Sequence, residues 1–163
     1  MRSVEFHIVY LADCPETIPT LALWFYEQWG HLVPERSIKQ NEGQLRQRLN
    51  RNKLPLTLVA FSGKQPVGSA SLKIQEMETH KHFMHWLGNV YVLPEYRNRG
   101  IGSALVQRAA EEATRLSVED LYLHTPDKES MYSRLGWTVI ERTHYRGLDV
   151  VIMKRRLSAR PEY

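Results

Sequence analysis

Residues 84–93, MHWLGNVYVL, make an apolar strand-forming run that ends at Pro94. The chain then passes through the basic, glycine-containing stretch 95–102 into a helical pattern carried by Ala104, Leu105, Ala109 and Ala113, to about Arg115. This strand, loop and helix constrain the fold more than any other segment. A strand that feeds a helix back onto its sheet brings the next strand in parallel, by a right-handed crossover, and that next strand is Leu121-Tyr-Leu-His124. The turn between strand and helix also has a chemical bias. The first turn of a helix leaves backbone N–H groups unpaired and carries the positive end of the helix dipole. Gly100 and Gly102 let the backbone approach a bound group closely, and Arg97 and Arg99 add permanent charge. Arg97, Asn98, Arg99, Gly100, Ile101 and Gly102 therefore read as a cradle for an anion, suited to a ligand with several phosphates.

The remaining elements follow from pattern and punctuation. Residues 5–11 are rich in β-branched and aromatic types and stop at Asp13-Cys14-Pro15, which predicts a first strand rather than a cleaved leader. Ile18, Leu21, Trp24, Phe25 and Trp29 recur by threes and fours up to Gly30, which predicts an amphipathic helix with an aromatic core stripe. Ser37 caps a second, more polar helix expected through about Arg51. Residues 55–62 and 65–76 read as a hairpin about Gly63. A short helix over 127–135 closes at Gly136, and 138–142 with 148–154 form a last strand pair. The order β-α-α-β-β-β-α-β-α-β-β predicts an α/β fold of the α+β type, with a mixed, mostly antiparallel central sheet flanked by helices on both faces.

With 163 residues the chain fits one domain, 1–157, followed by a short polar tail, 158–163; Lys154, Arg155, Arg156 and Arg160 are read as part of a solvated end. No apolar run approaches the roughly 20 residues that span a bilayer, so no membrane partner is expected. The formal charge of +4 favours anionic ligands without choosing among them. Cys14 is the single cysteine; it fits a reducing, cytoplasmic setting and a packing role.

Two nucleotide-binding readings fail on spacing. The third glycine of G-x-G-x-x-G falls on Leu105, and Glu119 and Asp120 precede the next strand instead of ending it. No G-x-x-x-x-G-K-[ST] run is present. His80, His82 and His85 form an H-x-H-x-x-H cluster without cysteine or a fixed helical spacing, so no metal is assigned.

Arg97-x-x-Gly100-x-Gly102, preceded by Val92-Leu93-Pro94-Glu95-Tyr96, resembles motif A of the GNAT superfamily of acetyl-CoA-dependent N-acetyltransferases. Met131-Tyr132-Ser133-Arg134-Leu135-Gly136-Trp137 is similar to that family's L-Y-x-x-L-G-F motif at the expected distance. The resemblance covers residues 57–154 and implies acetyl-CoA as acyl donor and a primary amine as acceptor, joined in a ternary complex. It implies that the backbone of Val90, Tyr91 and Val92 pairs with the pantetheine arm, with the Val92 amide polarising the thioester carbonyl. The amides of Arg99, Gly100, Ile101, Gly102 and Ser103 would receive the pyrophosphate, and Tyr132 would protonate the departing thiolate. Where many members carry Asn and Ala upstream of the tyrosine, this chain has Thr125 and Lys128, assigned to the cofactor side with Thr125 as a hydrogen-bonding substitute.

An alkylammonium titrates near 10.4, so the acceptor must lose a proton before attack. Glu76, Glu78, His85, Asn89 and His124 lie near the expected acceptor side; His124 or Glu76 acting through water is favoured as base, while Asn89 can only position a water. A monomer or homodimer is expected. The alternatives are a catalytically weak acyl-CoA-binding or regulatory protein on the same fold, and a basic nucleic-acid binder, for which no recognised motif exists.

Overall fold

The computed structural model describes residues 4–157; the predicted 158–163 tail lies outside them. The elements appear in the predicted order: β1 (His7–Tyr10), α1 (Ile18–Trp29), α2 (Ile38–Arg46), β2 (Leu56–Ser62), β3 (Gln65–Lys73), β4 (Trp86–Val92), α3 (Ile101–Arg115), β5 (Asp120–Thr125), α4 (Glu129–Arg134), β6 (Thr138–Tyr145) and β7 (Leu148–Arg156). They build one seven-stranded sheet of order β1-β2-β3-β4-β5-β7-β6, antiparallel throughout except between β4 and β5. No helix among the described residues is long and apolar enough to cross a membrane.

Side-chain alternation along β2 sets up a core on each face of the sheet. Leu58 and Ala60 join α3 and α4 residues in one cluster, while Val59 points the other way into a second cluster built on Leu21, Phe25 and Leu45 of α1 and α2. Burying a side chain of this size contributes about 1.5–3 kcal/mol, so these two clusters are the main force that lays helices on both faces. Gly68 on β3 lets α3 sit close to the sheet; a Cβ there would lie 2.8 Å from the Tyr91 carbonyl oxygen and 3.0 Å from Leu105. Cys14 is buried in the second cluster, and burial pushes its thiol above its ordinary value, in keeping with packing.

β4 breaks its own alternation. Ser69 pairs with Tyr91 and Ser71 with Gly88, so β4 holds an extra residue in a bulge where Asn89 takes a left-handed φ of 47°. The bulge swaps the faces: Leu87 packs in the first cluster, and past the bulge Val90 and Val92 pack there while Tyr91 enters the second.

β6 runs on to Tyr145, past the expected 142, and three further differences bear on the site or the chain end. α2 ends at Arg46, not near Arg51, because the following turn carries Arg48 under the sheet, where its Nη1 donates to Ser71 Oγ at 3.2 Å and Asn89 Oδ1 at 3.0 Å. Its start is a capping box between Ser37 and Gln40, as the sequence signals. β3 stops at Lys73, and the chain turns away with Glu76 folded back on Lys73. Lys154, Arg155 and Arg156 belong to β7 instead of a loose end: Lys154 and Arg156 pair with Asp120, and Arg155 donates to Gln107.

Candidate active site

β4 and β5 pair at one register position, Trp86 with Tyr122, and the Tyr122 N–H donates to the His85 carbonyl at 3.0 Å. Beyond that point β4 pairs only with β3, and β5 only with β7, so the parallel strands part and leave two facing backbone edges unpaired. A backbone edge without partners in the middle of a sheet is a ready template for an extended ligand. Leu93 donates its N–H to Val67 on the β3 side at 2.9 Å, and alternation therefore turns the Val92 N–H, and the Val90 N–H before it, toward the opening. Tyr91 turns inward, its ring stacked on Trp24 at 5.2 Å.

The loop after β4 brings the start of α3 to the same spot. Asn98 and Gly100 both adopt left-handed φ, 63° and 86°, which Asn tolerates and Gly favours. Gly100 occupies the cap position, and its carbonyl accepts the first helical bond from Ala104 at 3.0 Å. The N–H groups of Ile101, Gly102 and Ser103 fall in the first helical turn, where no intrahelical partner exists. A Cβ on Gly102 would sit 3.7 Å from Val92 Cγ2, so the helix start packs directly beside the end of β4. Arg97 is used differently from a freely extended cation. Its Nε donates to the Val92 carbonyl at 2.8 Å and its guanidinium lies 5.6 Å above the Tyr91 ring, bracing the loop against the strand it left. Arg99 remains exposed, over Tyr96 at 5.8 Å.

On the β5 side, Thr125 ends the strand and fixes the turn that leads into α4. Its Oγ1 accepts from the N–H of Lys128 at 3.1 Å and of Asp127 at 3.4 Å, so the hydroxyl is engaged with the turn itself, and Lys128 stands exposed at the cap of α4. Tyr132 follows in α4, buried and edge-on to Trp137 at 6.1 Å. Burial, aided by Asp127, pushes its phenol up to about 12, so it stays protonated and able to donate.

The candidate bases gather on the other side of the bulge. Glu76 Oε2 lies 2.8 Å from Lys73 Nζ. Burial would raise the Glu76 carboxyl, but Lys73, His124 and Arg48 outweigh it and hold it below its ordinary value. Burial lowers the His124 imidazole against the pull of Glu76, with Lys73 and Arg146 adding to the fall. His124 Nδ1 is buried and has no hydrogen-bond partner, with Trp86 and Tyr145 edge-on at 6.2 and 5.7 Å. Gly88 makes room for the ion pair: a Cβ there would lie 2.5 Å from Glu76 Oε2 and 3.1 Å from Lys73 Nζ.

Other candidates separate from this cluster. Glu78 is exposed and pairs with Arg146 at 4.0 Å, and Asn89 is engaged by Arg48. His80 is held by Glu141 at 2.6 Å and Thr79 at 2.7 Å, and His85 sits just before β4 with φ 75°. Among the described residues no group of three or more His, Cys, Asp and Glu side chains is placed to hold a metal. Lys73 and Arg48 escaped the sequence reading. The Gly88-Asn89 pair inside an apolar strand is the signal that marks the bulge they serve.

The model of the acetyltransferase (GNAT) family matches residues 16–137. The chain belongs to that family. No curated protein matches the sequence at a significant level. Among solved structures, an aminoglycoside 6'-N-acetyltransferase complexed with coenzyme A superposes with a TM-score of 0.72 at 15% identity, covering 96% of this chain and 99% of that one. A ribosomal-protein-alanine N-acetyltransferase from Brucella melitensis gives 0.71 at 22%, covering 93% and 99%. The yncA structure from Salmonella typhimurium, solved with its cofactor acetyl-CoA, gives 0.68 at 19%, covering 96% of each. At such identities the likeness establishes the fold of this GNAT chain, whose parted strands and glycine-capped helix are described above.

Proposed function

We propose that this GNAT protein transfers the acetyl group of acetyl-CoA directly to a primary amine, with both substrates bound together. The observation that carries the reading is the opening between β4 and β5, with the Val92 N–H turned into it and the first turn of α3 packed against Val92. A pantetheine arm laid along β4 would pair with Val90 and Val92 and present its thioester carbonyl to the Val92 N–H. The pyrophosphate would then meet the free amides from Arg99 to Ser103, where the helix dipole adds to their hydrogen bonds. Solved relatives that carry coenzyme A or acetyl-CoA support the assignment of the donor.

The reaction forms a nitrogen–carbon bond and breaks the carbon–sulfur bond of the thioester. The ammonium loses one proton toward Glu76 or His124 through water before attack; the nitrogen loses a second as the tetrahedral intermediate collapses, and it replaces through water the proton that Tyr132 gives to the departing thiolate. As the amine attacks, negative charge grows on the carbonyl oxygen, where a fixed backbone N–H stabilises it without reorganisation. His124 suits the base role in one respect: its half-buried imidazole is held below its ordinary value by burial and keeps an unpartnered Nδ1 that can accept a proton.

The decisive experiment is an acetyl-CoA turnover screen over amine classes, read by release of free thiol. Saturable thiol release that depends on one amine class is expected. Flat rates with every class, despite measurable coenzyme binding, would overturn the enzymatic reading.

A further inference from the structure

Between α1 and α2, next to the bulge of β4, lies a pocket lined by Phe25, Trp29, Val33, Arg36, Arg48 and Asn89, among others. Its frame is tied together, since the buried Asn41 of α2 donates to the Ala22 carbonyl of α1 at 3.2 Å. Arg48 is 7% exposed, so its guanidinium is more than nine-tenths withdrawn from water, yet the groups it touches are neutral. Nη1 bonds Ser71 Oγ and Asn89 Oδ1, and among the described residues no carboxylate lies within ion-pair distance of it. Burial lowers this guanidinium to about 10, Glu76 partly opposing the fall and Arg36 adding to it. Glu76, which acts on Arg48 only from beyond ion-pair distance, is already committed to Lys73 at 2.8 Å. Arg36 adds positive charge beside both Arg48 and Lys73, and Glu76 is the carboxylate that opposes it. A buried charge without a partner is costly, and an arginine fork with free N–H groups facing a pocket is complementary to a planar oxyanion.

Resting on the acetyl-transfer reading above, we propose that the acceptor is a primary amine that itself carries a carboxylate, seated on Arg48 with Arg36 beside it. Asn89 precedes Val92 by three residues on the same strand and sits in the bulge, so the carboxylate seat lies no more than about 10 Å along β4 from the acyl carbonyl. Allowing for the reach of the arginine side chain, that span fits an amine separated from its carboxylate by a few bonds, as in a free amino acid or the acidic first residue of a peptide. Phe25, Trp29 and Val33 leave an apolar wall for the rest of the acceptor. Polycationic amines are disfavoured at the same place, because like charge would meet Arg36 and Arg48.

Matched pairs differing only in the carboxylate test this directly. Phenylalanine against phenylalaninamide, and a short peptide beginning with Glu against one beginning with Gln, are compared for thiol release with acetyl-CoA. The carboxylate member is expected to show at least about tenfold higher kcat/KM in one of the two pairs, and the pair that shows it tells the free amino acid from the peptide terminus. In Arg48→Gln the ratio falls toward one, mainly through KM, and in Arg36→Gln, on a turn outside the sheet, it falls part of the way. Coenzyme A binding by calorimetry confirms that each variant is folded. Tryptophan fluorescence adds a readout without turnover: the carboxylate member should saturate the coenzyme-loaded protein, and Arg48→Gln should abolish that saturation. A ratio near one in an active wild type, a ratio that survives both substitutions, or no saturable binding by either carboxylate would overturn the carboxylate seat. Saturable binding with no turnover for any amine would instead overturn the acetyl-transfer reading and leave the seat standing.

Discussion

The two sides of β4 are built from different materials. On the proposed donor side the groups that would meet a ligand are backbone: the Val90 and Val92 N–H groups and the first turn of α3, with glycine at the cap and Arg97 bracing the loop. On the acceptor side they are side chains borne by separate elements: Arg48 after α2, Lys73 and Glu76 at the end of β3, Asn89 in the bulge and His124 on β5. A backbone site is specified by a contiguous stretch that sets φ and ψ, and it accepts any ligand with the right anion and extended arm. A side-chain site is specified one residue at a time, and any substitution changes which molecule it recognises. The donor side would thus serve many acceptors, and the acceptor side would decide among them.

Substitutions that touch one side only should separate the two. The largest effect is expected for Tyr132→Phe, which removes a proton donor whose phenol burial keeps protonated. kcat should drop about 100-fold, within the usual span for general acid catalysis and equivalent to about 2.7 kcal/mol, with coenzyme affinity retained. Full activity in that variant would take Tyr132 out of the chemistry. Next is Gly88→Ala, in which a Cβ 2.5 Å from Glu76 Oε2 must displace the carboxylate from Lys73. The atoms it meets are the far ends of flexible side chains, so the fold should hold while the amine kcat/KM falls about tenfold, equivalent to about 1.4 kcal/mol, and coenzyme binding stays within about twofold. Equal losses for amine and coenzyme would mean that the two sides are not independent.

That independence also explains which parts of the molecule were legible in the sequence. The element order, the parallel β4–β5 pair and the cap of α3 rest on local patterns, such as an apolar run ended by Pro94 or Gly100 at a left-handed cap. Arg48 offered no such pattern. It sits in a polar stretch that reads as a continuing helix, and its partners Ser71 and Asn89 are 23 and 41 residues away. Lys73 falls inside a strand that the sequence extends to Glu76, and only a missing Cβ at Gly88 reveals the pair it makes with Glu76. His124 and Glu76 stand out in the sequence as titratable residues near strand ends. Their mutual electrostatic influence depends on the sheet order β3-β4-β5, which puts the ends of two non-adjacent strands on either side of β4.

A smaller, donor-only effect is expected for Gly100→Ala. The added Cβ meets nothing within 4 Å, so the whole cost comes from φ of 86°, a region that costs a residue with a side chain roughly 1–2 kcal/mol. Coenzyme affinity should weaken by about tenfold, while the carboxylate-to-carboxamide ratio for amines stays where it was. A change in that ratio would show the cap of α3 reaching across to the acceptor side.

The smallest effect is in pH dependence, and it distinguishes the sides by which protons they bind. Burial holds His124 below its ordinary 6.5, so the unfolded chain binds that proton more readily than the folded one. Stability from the neutral imidazole is therefore complete above about 6.5 and falls away as pH drops toward the lowered folded value. Glu76, held below 4.5, is ionised in both states through this window and adds no slope until lower pH; Tyr132, pushed up to about 12, is protonated throughout. Denaturant midpoints measured at pH 7.5 and 5.5 should accordingly drop more in the wild type than in His124→Gln, which has no proton to gain. The other histidines are common to both proteins, so the difference between the two drops isolates His124. Equal drops would place His124 in contact with water in the folded state, and the acceptor side would then lack the dry imidazole that makes His124 a candidate base.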